Sequence, residues 1–502
     1  MRTKSAYHES LFSMRSNVYI GGEAVARDDS RLRPGINVLD ITFDLAADPE
    51  WKGLATARST VTGEEISRWA HLPQTPRDLM QKQKLIRLAS RRAGGCIQRC
   101  MGHDALSALA VGTKEIDMAG GTIYHQRFLE YLKIYHDQGL VGCCAQTDSK
   151  GDRMKRPGQQ QDPDSYVHVL EKREDGIVVS GFKMSITQAP YADEIIVLPT
   201  RALTEEDSDY AVAFAVPADA EGLSLITRPV WLREKDKPGA PPFCRYGVSD
   251  CVVIFDQVFV PWHRVFMCGE WQFGRRLALL FADSHRHSYS GCKPAISDIL
   301  CGASALAAEA NNIEKASHVR EKLTEFAGAA ELAYSAGVAA AVYGKKTDSG
   351  VFFPNEIYAN VGRRLTGETI YHEYNLLTEI AGGIAVTMPF DGDFEKGDNK
   401  GALERFIVRN PALSAETSLK IWQFVENIGA SAMASWYKIA GVHGGGSPIM
   451  ETIALGIGYD FEDKKRVARY LAGIDPALDD SRMRKLEPDF TDEREMDNSE
   501  GN

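Results

Sequence analysis

His285-Arg286-His287-Ser288-Tyr289-Ser290-Gly291-Cys292-Lys293 is the stretch around which this chain is organised. It lies within a run that reads as one helix, from about Arg275 through the alanine-rich segment ending near Ala310. On a helix, residues at i, i+4 and i+7 share a face. His285, Tyr289 and Cys292 have that spacing, so one face carries a metal-capable imidazole, a phenol and a thiol. Far upstream, Cys96 and Cys100 are spaced i, i+4 in a second helical stretch, Leu79 to Leu109. The expectation is that two helices bring these groups together around one metal centre.

The 502 residues correspond to two or three domains at roughly 100–200 residues each. A formal net charge of −11 argues against nucleic acid as the main partner, and 44% hydrophobic residues is a globular value. The first twenty residues lack the apolar core of a signal peptide, and no run approaches the ~18 apolar residues of a membrane span. These features predict a cytoplasmic protein without a membrane partner. Nine cysteines there point to metal binding or catalysis rather than a disulfide framework.

The pattern predicts an α+β chain. Residues 1–140 read as a mainly helical N-terminal domain that begins with an irregular arm. Within it, Thr62 and Glu65 have the spacing of a capping box. Residues 141–270 read as a β domain, a small barrel or sandwich, with strands at 166–170, 177–179, 194–199, 210–216, 223–230 and 251–260. Residues 271–475 read as a helical bundle, followed by a charged tail at 476–502. Gly444-Gly445-Gly446-Ser447 lacks the spacing and context of a dinucleotide fingerprint, so a nucleotide-binding doubly wound sheet is not expected.

Thiolates are the usual ligands of iron–sulfur clusters, and an imidazole can replace one of them. Spacing alone favours Cys96 and Cys100 as buried small hydrophobes, and His285 as a hydrogen-bonded histidine. A closed zinc site is a third reading. The segment Gln146-Thr147-Asp148-Ser149-Lys150-Gly151-Asp152-Arg153 offers amide, hydroxyl and backbone groups to a flavin ring, and Arg153 and Lys155 offer cations to a pyrophosphate. It also reads as a plain polar loop, and Ser185 and Thr187 share that ambiguity. Gly382 and Gly383 suit either cofactor contact or a helix C-cap. His443-Gly444-Gly445-Gly446-Ser447-Pro448 suits a turn or a site lining, with composition favouring the turn.

At these residues the chain resembles the 4-hydroxybutyryl-CoA dehydratase/vinylacetyl-CoA Δ-isomerase family. That family lies within the 4-hydroxyphenylacetate 3-hydroxylase group, whose fold is like that of acyl-CoA dehydrogenases. The motifs that carry the resemblance are Cys96-Ile97-Gln98-Arg99-Cys100, Thr147 through Arg153, and His285 through Lys293. The plain flavin monooxygenases of the group lack the cysteine set. The resemblance implies a central β-barrel between helical domains, a homotetramer, FAD, one [4Fe-4S] cluster per subunit and an acyl-CoA substrate. It implies cluster ligands at Cys96, Cys100, His285 and Cys292, with His285 also the base that takes the proton α to the thioester. Tyr289 and Lys293 match active-site partners, and residues 146–153, Ser185, Thr187 and 381–384 match flavin segments. The implied reaction is a radical dehydration of 4-hydroxybutyryl-CoA to crotonyl-CoA. The chain departs from the family pattern at Ala440 and Gly441, where a glutamate is expected before the His-Gly-x-Gly-Ser-Pro segment. Glu451 follows that segment instead. Pro294 predicts a kink beside the site.

Overall fold

The computed structural model describes residues 1–230, 241–395 and 398–478. The charged tail lies outside them from residue 479 onward. The chain opens with α1 (Lys4–Phe12), β1 (Val18–Ile20), β2 (Glu23–Val25), α2 (Arg33–Ala47), α3 (Lys52–Ala55), β3 (Thr56–Arg58) and β4 (Glu65–Ser67). The expected irregular arm is therefore partly sheet. β1 lies parallel to β10 (Leu223–Pro229), and β2 pairs with β1. Glu65 closes no capping box; it opens β4, which pairs with β3. The box is formed by Thr75 and Asp78 at the start of α4 (Pro76–Ala93). Pro76 presets the first helical residue there, and a missing N–H costs nothing at that position.

α5 (Cys100–Gly120) and α6 (Tyr124–Gln138) follow. The single helix expected across Leu79–Leu109 is two. Gly94 ends α4 in the left-handed conformation at φ 76°, and Gln98 repeats the break at φ 64°. Two arginines in the last turn followed by Gly-Gly is a helix stop.

The middle of the chain holds β5 (Gly142–Ala145), β6 (His168–Lys172), β7 (Gly176–Thr187), β8 (Glu194–Val197), β9 (Val212–Pro217), β10, α7 (Pro242–Arg245), β11 (Ser249–Pro261) and β12 (Val265–Cys268). These strands form two sheets, ordered β2-β1-β10-β11-β7-β6 and β12-β9-β8-β5. Among the described residues they close no central barrel. β5 and β8 are buried at every position, so they read as unbroken apolar runs rather than alternating strands. Phe214 on β9 meets Phe255 on β11 edge-to-face at 5.8 Å, which joins the two sheets through their core.

The remaining helices are α8 (Gly274–Ala310), α9 (Ser317–Val342), α10 (Glu356–Ala381), α11 (Asp391–Glu395), α12 (Lys400–Ile407), α13 (Ala415–Ala430), α14 (Ala432–His443), α15 (Pro448–Gly458) and α16 (Phe461–Leu471). α8 packs against α4, α5, α9, α10 and α13. Every residue from Asp283 to Ser297 is consequently buried, although the segment is mostly polar. Buried polar side chains are costly unless bonded, so this stretch marks where the fold concentrates polar interactions. The helix runs on through Pro294. No helix among the described residues is long and apolar enough to cross a membrane.

Candidate functional site

The site forms where α8 meets the α4–α5 link. Cys96 lies in the link, Cys100 opens α5, and Cys292 and His285 come from α8. A loop therefore supplies the first thiol. The Cys96 amide donates to the Tyr437 hydroxyl at 2.9 Å, and a side chain at Gly95 would overlap that hydroxyl. All three cysteines are free. Burial pushes the Cys292 thiol up to about 12, with Cys96 adding to the effect. Burial also raises Cys96 and lifts Cys100 well above the ordinary thiol range, with Asp104, Cys96 and Cys292 adding to the rise at Cys100. Cys96 thus lies close enough to disfavour ionisation of both other thiols, and Cys292 of Cys100.

His285 has a fixed plane and a fixed hydrogen bond. It stacks on Phe281 (centroids 5.4 Å, 14° between planes) and meets Tyr289 edge-on at 5.0 Å. Its Nδ1 lies 2.8 Å from the buried Asp104 carboxylate. Lys82 Nζ donates to the same carboxylate at 2.8 Å, and the hydroxyls of Ser284 and Ser288 donate at 2.9 and 3.0 Å. Burial alone would raise the Asp104 carboxyl; Lys82, His103 and His285 outweigh it and hold it well below the usual range. The sequence reading missed Asp104 and Lys82. A signal for Asp104 was available, because it lies four residues after Cys100 and so on the same helix face.

The His443–Pro448 segment lines the site. Arg363 donates to the carbonyls of Gly444 at 2.8 Å and Val442 at 2.9 Å, and Arg286 donates to that of Gly445 at 3.1 Å. The Arg363 guanidinium lies over the Tyr289 ring at 4.7 Å, and Glu451 lies 3.3 Å from Arg363. A Cβ at Gly444 would overlap the Tyr289 hydroxyl. Lys293 is buried with Nζ 5.6 Å from the Tyr289 ring centre, and burial pushes its ammonium down to about 8. No carboxylate stands at 440 or 441. A Cβ at Gly441 would meet Ile370 at 2.8 Å and Lys293 Nζ at 3.1 Å, so the segment leaves no room there. The buried carboxylate whose charge acts on Lys293 is Glu373 of α10, raised by its own burial.

The two polar segments at the sheet come together. The Met184 amide donates to the Thr147 carbonyl at 2.8 Å, and Gln146 reaches the Ala278 carbonyl of α8 at 3.0 Å. Asp148 is buried and occupied: Lys183 lies at 2.8 Å, the Val167 amide at 3.1 Å, and the Thr200 hydroxyl also donates to it. Asp148 holds the loop rather than facing outward. Asp152, Arg153 and Lys155 are exposed, as is Ser185, whose φ is 56°. Thr187 donates to Asp250, which also accepts from the Trp436 indole. Gly382 and Gly383 are exposed beyond the far end of α10. Nineteen residues separate Gly382 from Arg363, roughly 28 Å along a helix, so within one chain they do not join the site around Tyr289.

A long buried helix bearing an imidazole and a thiol, set between a two-sheet body and a helical bundle, defines a helix–sheet–helix class with a polar loop at its centre. The chain belongs to the 4-hydroxyphenylacetate 3-hydroxylase family, whose N-terminal model matches residues 3–267 and whose C-terminal model matches residues 275–473. It is 38% identical to the 4-hydroxybutyryl-CoA dehydratase/vinylacetyl-CoA-Δ-isomerase of Clostridium aminobutyricum, over 94% of this chain and 100% of that one. An oxygen-tolerant archaeal 4-hydroxybutyryl-CoA dehydratase from N. maritimus superposes with a TM-score of 0.90 at 35% identity, covering 95% and 96% of the two chains. The oxygenase component of 4-hydroxyphenylacetate 3-monooxygenase, complexed with FAD, superposes at 0.85 with 25% identity over 94% and 98%. These comparisons bear out the resemblance drawn from the sequence.

Proposed function

We propose that this chain is an FAD- and [4Fe-4S]-dependent 4-hydroxybutyryl-CoA dehydratase that also isomerises vinylacetyl-CoA to crotonyl-CoA. The observation that carries the reading is that Cys100 and His285, from two helices, bring ligand atoms within 4.8 Å of one another, with Cys96 and Cys292 near enough to raise the Cys100 thiol. Neighbouring thiols whose ionisation burial disfavours fit a cationic group, whose charge offsets theirs. The N. maritimus and C. aminobutyricum relatives support the substrate class. The FAD-bound relative supports the flavin.

Cys96, Cys100, Cys292 and His285 would hold the cluster. Gln146, Thr147, Ser185 and Thr187 would border the flavin, and Arg153 and Lys155 would meet its phosphates. When bound, the flavin supplies one-electron exchange and the cluster supplies a Lewis-acidic iron for the substrate hydroxyl. The protein residues provide proton control and a dry, fixed site. His285, with Nδ1 tied to Asp104, has its one free lone pair at Nε2; it would hold the cluster with that pair and would take a proton there only once the bond to iron is released. Tyr289 is clamped between Arg363 and the glycines at 444–446, and its hydroxyl borders the reacting space. Lys293 brings a cation that burial makes easy to discharge. Burial of the whole segment from Asp283 to Ser297 keeps bulk water from competing for protons.

Gly382 and Gly383, exposed at the far end of α10, would meet the flavin of a neighbouring subunit in the proposed homotetramer. The apolar row Ile449, Met450, Ile453, Ile457 and Phe461, exposed on α15 and the start of α16, also fits the homotetramer, because patches of this kind mark interfaces. Ala440 and Gly441 favour a second reading, a related hydroxyacyl-CoA dehydratase or isomerase with the same centre and a different acyl chain. The reduced-flavin aromatic monooxygenase gives no role to the buried thiols.

Anaerobically purified protein should contain about four irons and about one FAD per subunit and should release crotonyl-CoA from 4-hydroxybutyryl-CoA. Flavin without iron would transfer the assignment to the monooxygenase branch. Cofactors without turnover of this substrate would favour the second reading.

A further inference from the structure

We infer that Asp104 is the positioning carboxylate of His285: it holds the imidazole proton on Nδ1 and so leaves the Nε2 lone pair as the one that ligates iron. The inference rests on the proposed function for what His285 does and on geometry for how it is held. Cys100, Asp104 and His285 bring their ligand atoms within 4.8 Å of one another, an arrangement that could place Asp104 itself on a metal. Its hydrogen bonds say otherwise. Oδ1 accepts from Lys82 at 2.8 Å, Ser284 at 2.9 Å and Ser288 at 3.0 Å, while Oδ2 accepts from Ser288 at 3.0 Å and lies 2.8 Å from His285 Nδ1. A carboxylate offers about four lone-pair sites, and these donors use them. Asp104 is fully buried, so no further rotation frees an oxygen.

The donors explain why the carboxylate stays where it is. Ser284 and Ser288 stand one residue before and three after His285 on α8. One helix therefore carries both the imidazole and two of the hydroxyls that grip its partner. Lys82 comes from α4 and places a buried positive charge on the side away from His285. Its ammonium donates to Oδ1, which leaves Oδ2 to accept the Nδ1 proton. Phe281 and Tyr289 fix the ring plane, and Asp104 fixes which edge is which. An outer carboxylate of this kind sets the tautomer and basicity of a ligating histidine, and its loss typically costs about 10–100-fold in metal affinity or activity.

Two measurements on the anaerobic holoenzyme test this. The first leaves the sequence intact. Protein is grown with histidine labelled with 15N at Nδ1 alone or at Nε2 alone, its cluster is reduced, and nitrogen couplings are read by electron–nuclear double resonance. Strong coupling from the Nε2 label and weak coupling from the Nδ1 label is the expected result. Strong coupling from the Nδ1 label would overturn the inference, because that nitrogen would then be on iron and not on Asp104. Iron without coupling from either label, or no iron at all, would overturn the underlying reading of His285 and the inference with it. The second uses Asp104→Asn, which can donate to Nδ1 and force the proton to Nε2. The variant should bind flavin as the parent does but lose iron to a chelator about 10–100-fold faster. Iron loss and turnover at the parental rates would overturn the inference.

Discussion

The Gln83 side chain on α4 donates at 3.1 Å to the Ser290 carbonyl on α8, the acceptor that Pro294 leaves without its helical N–H. The same amide donates to the Tyr334 carbonyl on α9 at 2.8 Å. One side chain thus repairs the proline defect and ties three helices together two residues from Cys292. A buried acceptor that loses its partner costs about 1–3 kcal/mol. Gln83→Leu should therefore lower stability by about that amount. Pro294→Ala should return an N–H to Ser290 and recover part of the loss in the double variant. Thermal midpoints of the four proteins in this cycle check the prediction; strict additivity would mean that Gln83 acts elsewhere.

Gly444 has no room for a methyl group because the Tyr289 hydroxyl occupies that place. Gly444→Ala should displace Tyr289 or lift the segment off Arg363, with an overpacking cost of about 1–3 kcal/mol. Turnover should fall by about tenfold or more. Adding Tyr289→Phe removes the overlapping oxygen, so the double variant should regain thermal stability. It should not regain turnover if the hydroxyl works in the reaction. Recovery of both would place Tyr289 outside the chemistry.

The parts legible in the sequence were those set by local periodicity. The stripe His285, Tyr289, Cys292 was readable because helix spacing is fixed, and the strand runs were readable because their apolar content is dense. The break at Gly94–Arg99 was missed because the four-residue spacing of Cys96 and Cys100 suits a helix as well as a loop. Only the Gly94-Gly95 pair argued for the loop. Asp148 reads from the sequence as a cofactor contact because a polar residue in a polar loop looks exposed; its partners Lys183 and Thr200 lie tens of residues away. Lys82 and Arg363 carry no local pattern at all. Each matters through a partner distant in sequence, and such pairings become visible only in the fold.

Asp78 gives a pH signature separate from the site. It caps α4 through Thr75. Burial alone would raise its carboxyl, but His71, the Gln74 amide and Arg68 outweigh that and hold it at about 2. Its folded value lies below the unfolded value of about 3.9, so the unfolded chain takes up the proton first as pH falls. The stabilisation is then fully present above about pH 4 and is lost between about pH 4 and 2. Asp78→Asn should lower stability by about 2 kcal/mol at pH 7. The gap between variant and parent should narrow as pH drops through 4. A gap that stays constant down to pH 3 would assign the effect to helix capping rather than charge.

The Tyr437 hydroxyl that accepts the Cys96 amide lies on α14, more than three hundred residues from that cysteine in sequence. Its ring packs on Phe243 and Trp436, so its position is set by the bundle rather than by the cysteine link. Tyr437→Phe keeps that packing and removes only the acceptor. The Cys96 amide would then be left without its partner at a cost of about 1–3 kcal/mol, felt where the first thiol is positioned. The variant should fold and bind flavin as the parent does, because Tyr437 makes no contact with the 146–153 segment among the interactions described. Its iron content should be lower, and the remaining iron should leave faster under chelator. Equal iron retention in variant and parent would show that Gly95 and Gln98 alone hold the link in place.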